Sequence, residues 1–265
     1  MKDNNISTQM DTLKEGSRCP DVIFLQALLG MTPTGTFGIA TKEKLIEFQG
    51  SHNLTADGIC GPQTWTALRK QNPYTGITEE SYKSTAASLG ISVAALKAVC
   101  EVETSGSGQD TSGRPKCLFE GHIFWAALKK RGVDPSKITG HSGVLYKTWT
   151  KGKYLGGYKE WDRLKEAAGI NFEAALESAS LGLFQIMGNN WKAAGAGSVV
   201  DYYAKTYMSA QEQLGFFAAY IKSEGLTKYL VNLDWAGFAK RYNGSGYAEN
   251  KYDTRLAQAY KKYKS

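Results

Sequence analysis

Apolar positions near the start of the chain recur at helical spacing. Val22, Leu25, Leu28 and Leu29 lie three or four residues apart, on one face of a helix. Two later segments then repeat one another without a gap. Thr34-Gly35-Thr36-Phe37-Gly38-Ile39-Ala40-Thr41 is followed by Leu45, and Asp57-Gly58-Ile59-Cys60-Gly61-Pro62-Gln63-Thr64 by Leu68. Each reads as a tight turn, an apolar residue, a second glycine and a threonine able to cap a helix. Helices are expected over 42–49 and 65–69, which makes a small three-helix domain over 1–72. Asn72-Pro73-Tyr74-Thr75-Gly76 breaks the pattern and predicts a linker over 73–77. Thr78, with Glu79 and Glu80 behind it, starts a helix and the second domain, 78–265.

A stronger helical pattern runs over 91–103, with Ser92 as its cap. Leu96, Val99, Cys100 and Glu103 share one face. Glu101 lies on another face, one turn beyond Lys97, where a surface ion pair is expected. After Glu103 the chain turns polar: Thr104-Ser105-Gly106-Ser107-Gly108. The pattern leaves two readings of Glu103, a solvated helix end or a half-buried acid. In the second, desolvation raises the carboxyl pKa. A proton held near neutral pH is what general-acid cleavage of a glycosidic bond requires.

Composition narrows the class. The 265 residues are 42% hydrophobic and 22% charged, which argues against a disordered or fibrous chain. No stretch approaches the roughly 18 apolar residues of a membrane span. Met1-Lys2-Asp3-Asn4-Asn5 leads into polar sequence, with no secretory apolar segment expected. Charge is uneven. Residues 1–75 carry seven basic and seven acidic side chains, so the net +7 falls on the second domain. That excess suggests an anionic partner, or a merely soluble basic surface. Cys19, Cys60, Cys100 and Cys117 form no CxxC pair, so no zinc site is implied. They are read as buried thiols, with Cys19–Cys60 or Cys100–Cys117 pairing as the oxidised alternative.

The repeat carries a resemblance. Leu25-Gln26, Phe37-Gly38, Phe48-Gln49, Asn53-Leu54 and Asp57 through Trp65 resemble the peptidoglycan-binding domain of cell-wall hydrolases over roughly residues 18–70. Thr34 stands where that family usually has Asp. The resemblance implies a groove beside the glycine turns, near Asp57, with Trp65 or Phe37 stacking on sugar; the alternative for both rings is the core.

The second domain resembles the lysozyme superfamily in three motifs, in order. Val102-Glu103-Thr104-Ser105-Gly106 is similar to the signature that carries its catalytic acid. Gly182-Leu183-Phe184-Gln185-Ile186-Met187-Gly188 and Phe238-Ala239-Lys240-Arg241-Tyr242-Asn243-Gly244, with Tyr247 beyond, are similar to its cleft segments. Gly113-Arg114-Pro115 and Leu118-Phe119-Glu120-Gly121-His122-Ile123-Phe124 resemble the N-acetylmuramidase domain of phage endolysins, which more often has Arg at position 121.

The resemblance implies a mainly helical, two-domain protein that cuts the β-1,4 bond between N-acetylmuramic acid and N-acetylglucosamine. Glu103 is the expected acid and Glu101 its fallback. Glu120, inside an apolar run, is the candidate second carboxylate, with a structural role as the alternative. Gln185, Tyr242, Asn243, Phe184 and Tyr247 are the candidate sugar-binding residues, with internal packing and hydrogen bonding as the bland reading. No metal or organic cofactor is implied, and HExxH is absent.

A lytic transglycosylase, a Cys117/His141 amidase and a non-catalytic wall-binding protein are the rivals. The tyrosines and lysines of 247–264 read as an amphipathic helix in preference to a nucleic-acid or membrane site. The expected partner is the glycan strand, with electrostatic contact to an anionic envelope and no nucleic acid. The chain is expected to be a monomer, made in a host cytoplasm and released to the wall through a holin pore.

Overall fold

The computed structural model describes residues 10–104, 106, 108–110 and 112–264. The polar start at Met1–Asn5, and Ser105 and Ser107 of the loop after Glu103, lie outside the described residues. The first unit holds α1 (Pro20–Leu28), α2 (Ile39–Ser51) and α3 (Pro62–Gln71). Gly38 and Gly61 occupy the N-caps of α2 and α3, so both helices begin earlier than expected. Thr41 and Thr64 therefore do not cap. They are buried one turn in, where their hydroxyls accept from the amides of Gln26 (3.0 Å) and Gln49 (3.2 Å).

Those two glutamines organise the repeat. Gln26 also accepts from the Gly35 backbone N–H (3.0 Å) and donates to Thr34 Oγ1 (3.1 Å). Gln49 accepts from the Gly58 N–H (2.9 Å) and donates to Asp57 Oδ1 (3.1 Å). Thr34 thus makes the bond that Asp57 makes in the second copy. Gly35 and Gly58 have φ of 76° and 71°, which glycine adopts without steric cost.

The second unit is built on α4 (Glu79–Leu89) and α5 (Val93–Glu103), capped by Thr78 and Ser92. Strand β1 (Cys117–Phe119), helices α6 (Gly121–Lys130), α7 (Lys159–Ile170) and α8 (Phe172–Glu177), and strands β2 (Ala179–Leu181) and β3 (Ile186–Met187) follow. The sheet is antiparallel in the order β1-β2-β3, with Cys117 opposite Leu181 and Leu181 opposite Ile186. Helices α9 (Val199–Met208), α10 (Ala210–Ser223), α11 (Thr227–Val231), α12 (Trp235–Tyr242) and α13 (Tyr252–Lys264) complete it. Helix α13 packs along α5 through buried Leu256 and Ala259. Its lysines stay outside, as an amphipathic helix requires.

The two units meet on α1. The periodicity implied one buried face, yet Ile23 and Phe24 are as buried as Val22 and Leu25. The reason is a second partner. Phe24 stacks on Tyr207 of α9 (centroids 4.1 Å apart) and meets Trp161 of α7 edge-on (5.4 Å). Asp21 and Arg114 form an ion pair across the boundary, with side chains 0% and 2% exposed. Arg114 Nε lies 2.8 Å from Asp21 Oδ1. The expected linker is also docked: Thr75 O accepts from Ala210 N (2.9 Å), and Tyr74 accepts from Gln213 (3.1 Å).

All four cysteines are free thiols, so neither candidate disulfide forms. Burial pushes Cys19 and Cys100 up to about 12, and Cys60 and Cys117 higher still. A thiol so raised is no nucleophile. His141 lies 2.8 Å from Glu166, and the amidase reading fails on the buried Cys117 thiol.

Breaking the Asp21–Arg114 pair leaves an uncompensated buried charge. Asp21→Ala is expected to cost about 3–5 kcal/mol in chemical denaturation. Replacing both residues with apolar ones of similar volume is expected to restore most of the loss.

Candidate active site

Helix α5 brings Glu103 to the edge of the core. Leu96, Val99 and Cys100 on the same face are buried. The helix stops where Thr104 turns extended (φ −113°, ψ 147°), its hydroxyl donating back to Cys100 O (2.6 Å). Glu103 Oε2 accepts from Asn243 Nδ2 at 2.8 Å, while Oε1 is buried without a hydrogen-bond partner. Burial raises the carboxyl from 4.5 to about 7, against the opposing pull of the Asn243 bond and the Arg255 charge. Of the two readings of Glu103, the half-buried acid holds.

Two cavities meet at this carboxyl. One, of about 380 Å³, is lined by Phe184, Gln185, Asn190, Tyr220, Asn243 and Tyr252 with Glu103. The other, of about 800 Å³, is lined by Glu103, Gln185, Gln109, Asp110, Lys116 and Tyr158 among others. Glu103 and Gln185 belong to both lobes.

The turn between β2 and β3 supplies Gln185. Its φ of 48° is a left-handed conformation that costs a non-glycine residue energy. Ser180 Oγ donates to its Oε1 (3.0 Å), and its amide donates to Gly182 O (2.8 Å). Gly182 is confined: a Cβ there would lie 2.4 Å from Gln213 Oε1, which itself holds Leu183 N (2.7 Å). Phe184 stacks on Phe217 (4.3 Å), and Tyr242 OH donates to Phe184 O (3.1 Å). Both rings therefore set the floor, and Asn243 alone of that motif holds the acid.

Asp110, which the sequence pattern did not single out, also lines the larger lobe. Its Oδ1 accepts from Ser112 N (2.8 Å) and Ser112 Oγ (2.5 Å), while its buried Oδ2 has no partner. Burial raises its pKa, opposed by the Ser112 bonds. Only an aspartate in a polar, glycine-rich stretch marks it in the sequence, a signal shared with any loop. Tyr252 was read as part of a basic tail, yet it lines the smaller lobe.

A third cavity, of about 470 Å³, lies at the second glycine turn, lined by Gln49, Thr55, Asp57, Ile59, Pro62 and Thr64 among others. Asp57 is exposed there. The Ile59 N–H and the Gln49 amide hold its carboxyl below the usual range. Phe37 and Trp65 are each 1% exposed, and Trp65 Nε1 donates to Asp11 O (2.9 Å). Neither ring is available to stack on sugar; both fill the core.

Residues 92–264 match the N-acetylmuramidase family, and residues 21–68 match a putative peptidoglycan binding domain. The chain belongs to the N-acetylmuramidase family. It is a glycoside hydrolase of the muramidase type, with a peptidoglycan-binding domain at its N-terminus. It is also similar to the crystal structure of a Burkholderia AP3 phage endolysin. The two share 36% identity at a TM-score of 0.67, over 96% of this chain and 98% of that one.

Within the muramidase domain, the other two acids stand apart from the lobes described. Glu101 is bound by Lys262 (2.7 Å) and Tyr263 (2.6 Å), which lower its pKa, and it lines neither lobe. The expected Lys97–Glu101 pair does not form, because Lys97 reaches Glu79 (2.7 Å). Glu120 Oε2 accepts from Tyr154 OH (2.6 Å) and lies 3.4 Å from His122. It is not among the residues lining either lobe, nor is Tyr247. Gly121 has no room for the arginine common in the family, since a Cβ would lie 2.3 Å from Tyr146.

A carbon-13 NMR titration is expected to place the Glu103 midpoint near 7. Asn243→Ala removes a bond that favours the charged form, and the midpoint is expected to rise further. The folded chain holds this proton to higher pH than the unfolded chain does. The stability it contributes is complete below about 4.5 and is lost as pH rises through about 7. Denaturation midpoints across that window are expected to fall less in Glu103→Gln than in the wild type.

Proposed function

We propose that Glu103 is the general acid that cleaves the β-1,4 bond between N-acetylmuramic acid and N-acetylglucosamine, with Asp110 as the water-activating carboxylate. The observation that carries this reading is a buried carboxyl, raised to about 7, where two lobes of one cleft meet. A glycan lying through both lobes places its scissile oxygen beside a group that is still protonated near neutral pH. Asn243 orients that group and limits how far its pKa climbs.

The second carboxylate must share the cleft with the first. Asp110 lines the larger lobe with Glu103, and its Oδ2 is buried without a hydrogen-bond partner, a lack that a bound water would make good. In the step proposed, Asp110 takes a proton from water as the water oxygen bonds to the anomeric carbon. The glycosidic C–O bond breaks, and the Glu103 proton goes to the leaving oxygen. Asp110 then releases its proton to solvent and Glu103 takes one up, for a net consumption of one water. Glu120 serves instead to hold Tyr154, which also accepts from Trp149 Nε1 (2.9 Å), at the rim of the fold.

The groove at Asp57 would grip the wall and raise the local concentration of glycan without altering the chemistry. The net charge of +7 favours approach to an anionic envelope. The chain is proposed to act as a monomer. Likeness to a phage endolysin supports synthesis in the host cytoplasm and delivery to the wall through a holin pore.

Glu103→Gln is expected to lower sacculus clearance by about 10²–10⁴-fold. Mass spectrometry of wild-type digests is expected to show reducing ends; anhydro ends would mean a lytic transglycosylase. Asp110→Asn keeps an acceptor for the Ser112 bonds but loses the charge. It is expected to lose about 100-fold in turnover with little change in melting temperature.

A further inference from the structure

The larger lobe is walled in part by a short hairpin. Gln109 pairs with Pro115 in an antiparallel bridge, Asp110 N donates to Arg114 O (2.8 Å), and Lys116 N donates to Gly108 O (2.8 Å). Gln109 and Asp110 line the larger lobe, and the Gln109 amide donates back to Gly113 O (2.9 Å). The opposite end, at Gly113 and Arg114, is buried, and much of what holds it belongs to the other domain. Arg114 is paired with Asp21 of α1. Arg69 of α3 donates from Nη2 to Gly113 O (2.5 Å), and its guanidinium lies 3.7 Å from the Tyr207 ring centroid. The catalytic domain's own hold on this end includes Trp161 Nε1, which donates to Pro115 O (3.0 Å).

We infer that the peptidoglycan-binding domain is a working part of the catalytic cleft: Asp21 and Arg69 are positioning residues that hold the hairpin pairing Gln109 with Pro115, so that Gln109 and Asp110 line the lobe beside Glu103. The inference rests on the reading of that lobe as the site of glycan cleavage.

Two physical points support it. The Asp21–Arg114 fastening is buried, where a hydrogen-bonded charge has no water to replace its partner, and the Arg69 bond to Gly113 O is partly buried. Arg69 Nη1 is also buried with no hydrogen-bond partner, so this side chain bears a desolvation cost in order to stay on Tyr207 and Gly113. Losing the Asp21 pair releases the Arg114 side chain from the other domain, and losing the Arg69 bond leaves Gly113 O to the Gln109 amide (2.9 Å) of its own hairpin. Asp110 follows directly, because Arg114 O accepts its N–H and its own carbonyl accepts from Gly113 N (3.1 Å). A domain that only tethered the enzyme would not grip the strand next to the reacting groups. Other contacts across the boundary, such as Arg18–Glu173 (3.3 Å), are exposed and do not touch the hairpin.

The test measures turnover of a soluble, peptide-free oligomer of alternating N-acetylglucosamine and N-acetylmuramic acid, where tethering to a sacculus gives no advantage. In the full-length chain, Arg69→Met is expected to lower kcat at least about tenfold with KM changed less than about twofold. Arg69→Lys should recover much of the loss, and Arg18→Ala should turn over like the wild type. Sedimentation with sacculi, read in a Glu103→Gln background to prevent cutting, should be unchanged by Arg69→Met.

A folded Arg69→Met chain with kcat within about twofold of wild type would overturn the inference. Asp21→Asn, which keeps the shape of the buried pair, gives a second route should Arg69→Met not fold. The same loss of kcat is expected, and wild-type kcat would again overturn it. Glu103→Gln assayed in parallel separates the two readings: turnover by that variant sinks the acid assignment, whatever Arg69→Met does.

Discussion

The buried pair of Asp21 and Arg114 is the constraint on which the rest of the architecture depends. Neither charge survives in that interior without the other. Asp21 belongs to the first turn of a helix in the peptidoglycan-binding domain, and Arg114 to a hairpin that lines the same lobe as Glu103. On the same helix as Asp21, Phe24 rests on Tyr207 and Trp161. The chain from 73 to 77 then lies against the start of α10, where a free linker was expected. Gly35 shows how closely the surfaces fit, because a Cβ there would lie 2.3 Å from the Phe172 ring.

The cleft depends on a balance of opposing effects at one oxygen pair. Packing of α5 takes Glu103 out of water and favours its proton. The Asn243 bond and the Arg255 charge work the other way, so the group remains able to give that proton up. A fully apolar pocket would hold the proton too firmly, and a solvated helix end would lose it near 4.5. The strained Gln185 and the confined Gly182 shape the turn opposite, which is where energy is spent on form rather than stability.

The internal repeat was legible because it is local. Glycine turns and the apolar residues behind them are separated by a few positions, and their order survives any tertiary arrangement. What the pattern hid was the role of the threonines and glutamines. Thr41 and Thr64 look like caps, but Gly38 and Gly61 cap and the threonines serve buried Gln26 and Gln49. Phe37 and Trp65 were likewise ambiguous, since an aromatic ring beside a turn suits a sugar platform or a core equally well. Burial resolved both in favour of the core.

By itself the sequence determined the elements and one chemical position: the capped helix 93–103, the carboxylate at its apolar end, and the motifs that carry Gln185 and Asn243. The helix, its cap and its terminal carboxylate follow from periodicity and capping, whose physics acts within a few residues; the two motifs follow from the resemblance to the lysozyme superfamily. Tertiary structure alone decided which of four acids share a cleft. It bound Glu101 to α13, gave Glu120 to Tyr154 and set Asp110 in the wall of the lobe that Glu103 also lines. It also joined two domains around one buried ion pair. Those outcomes depend on desolvation and on partners far away in the chain, and neither is written in the spacing of residues along it.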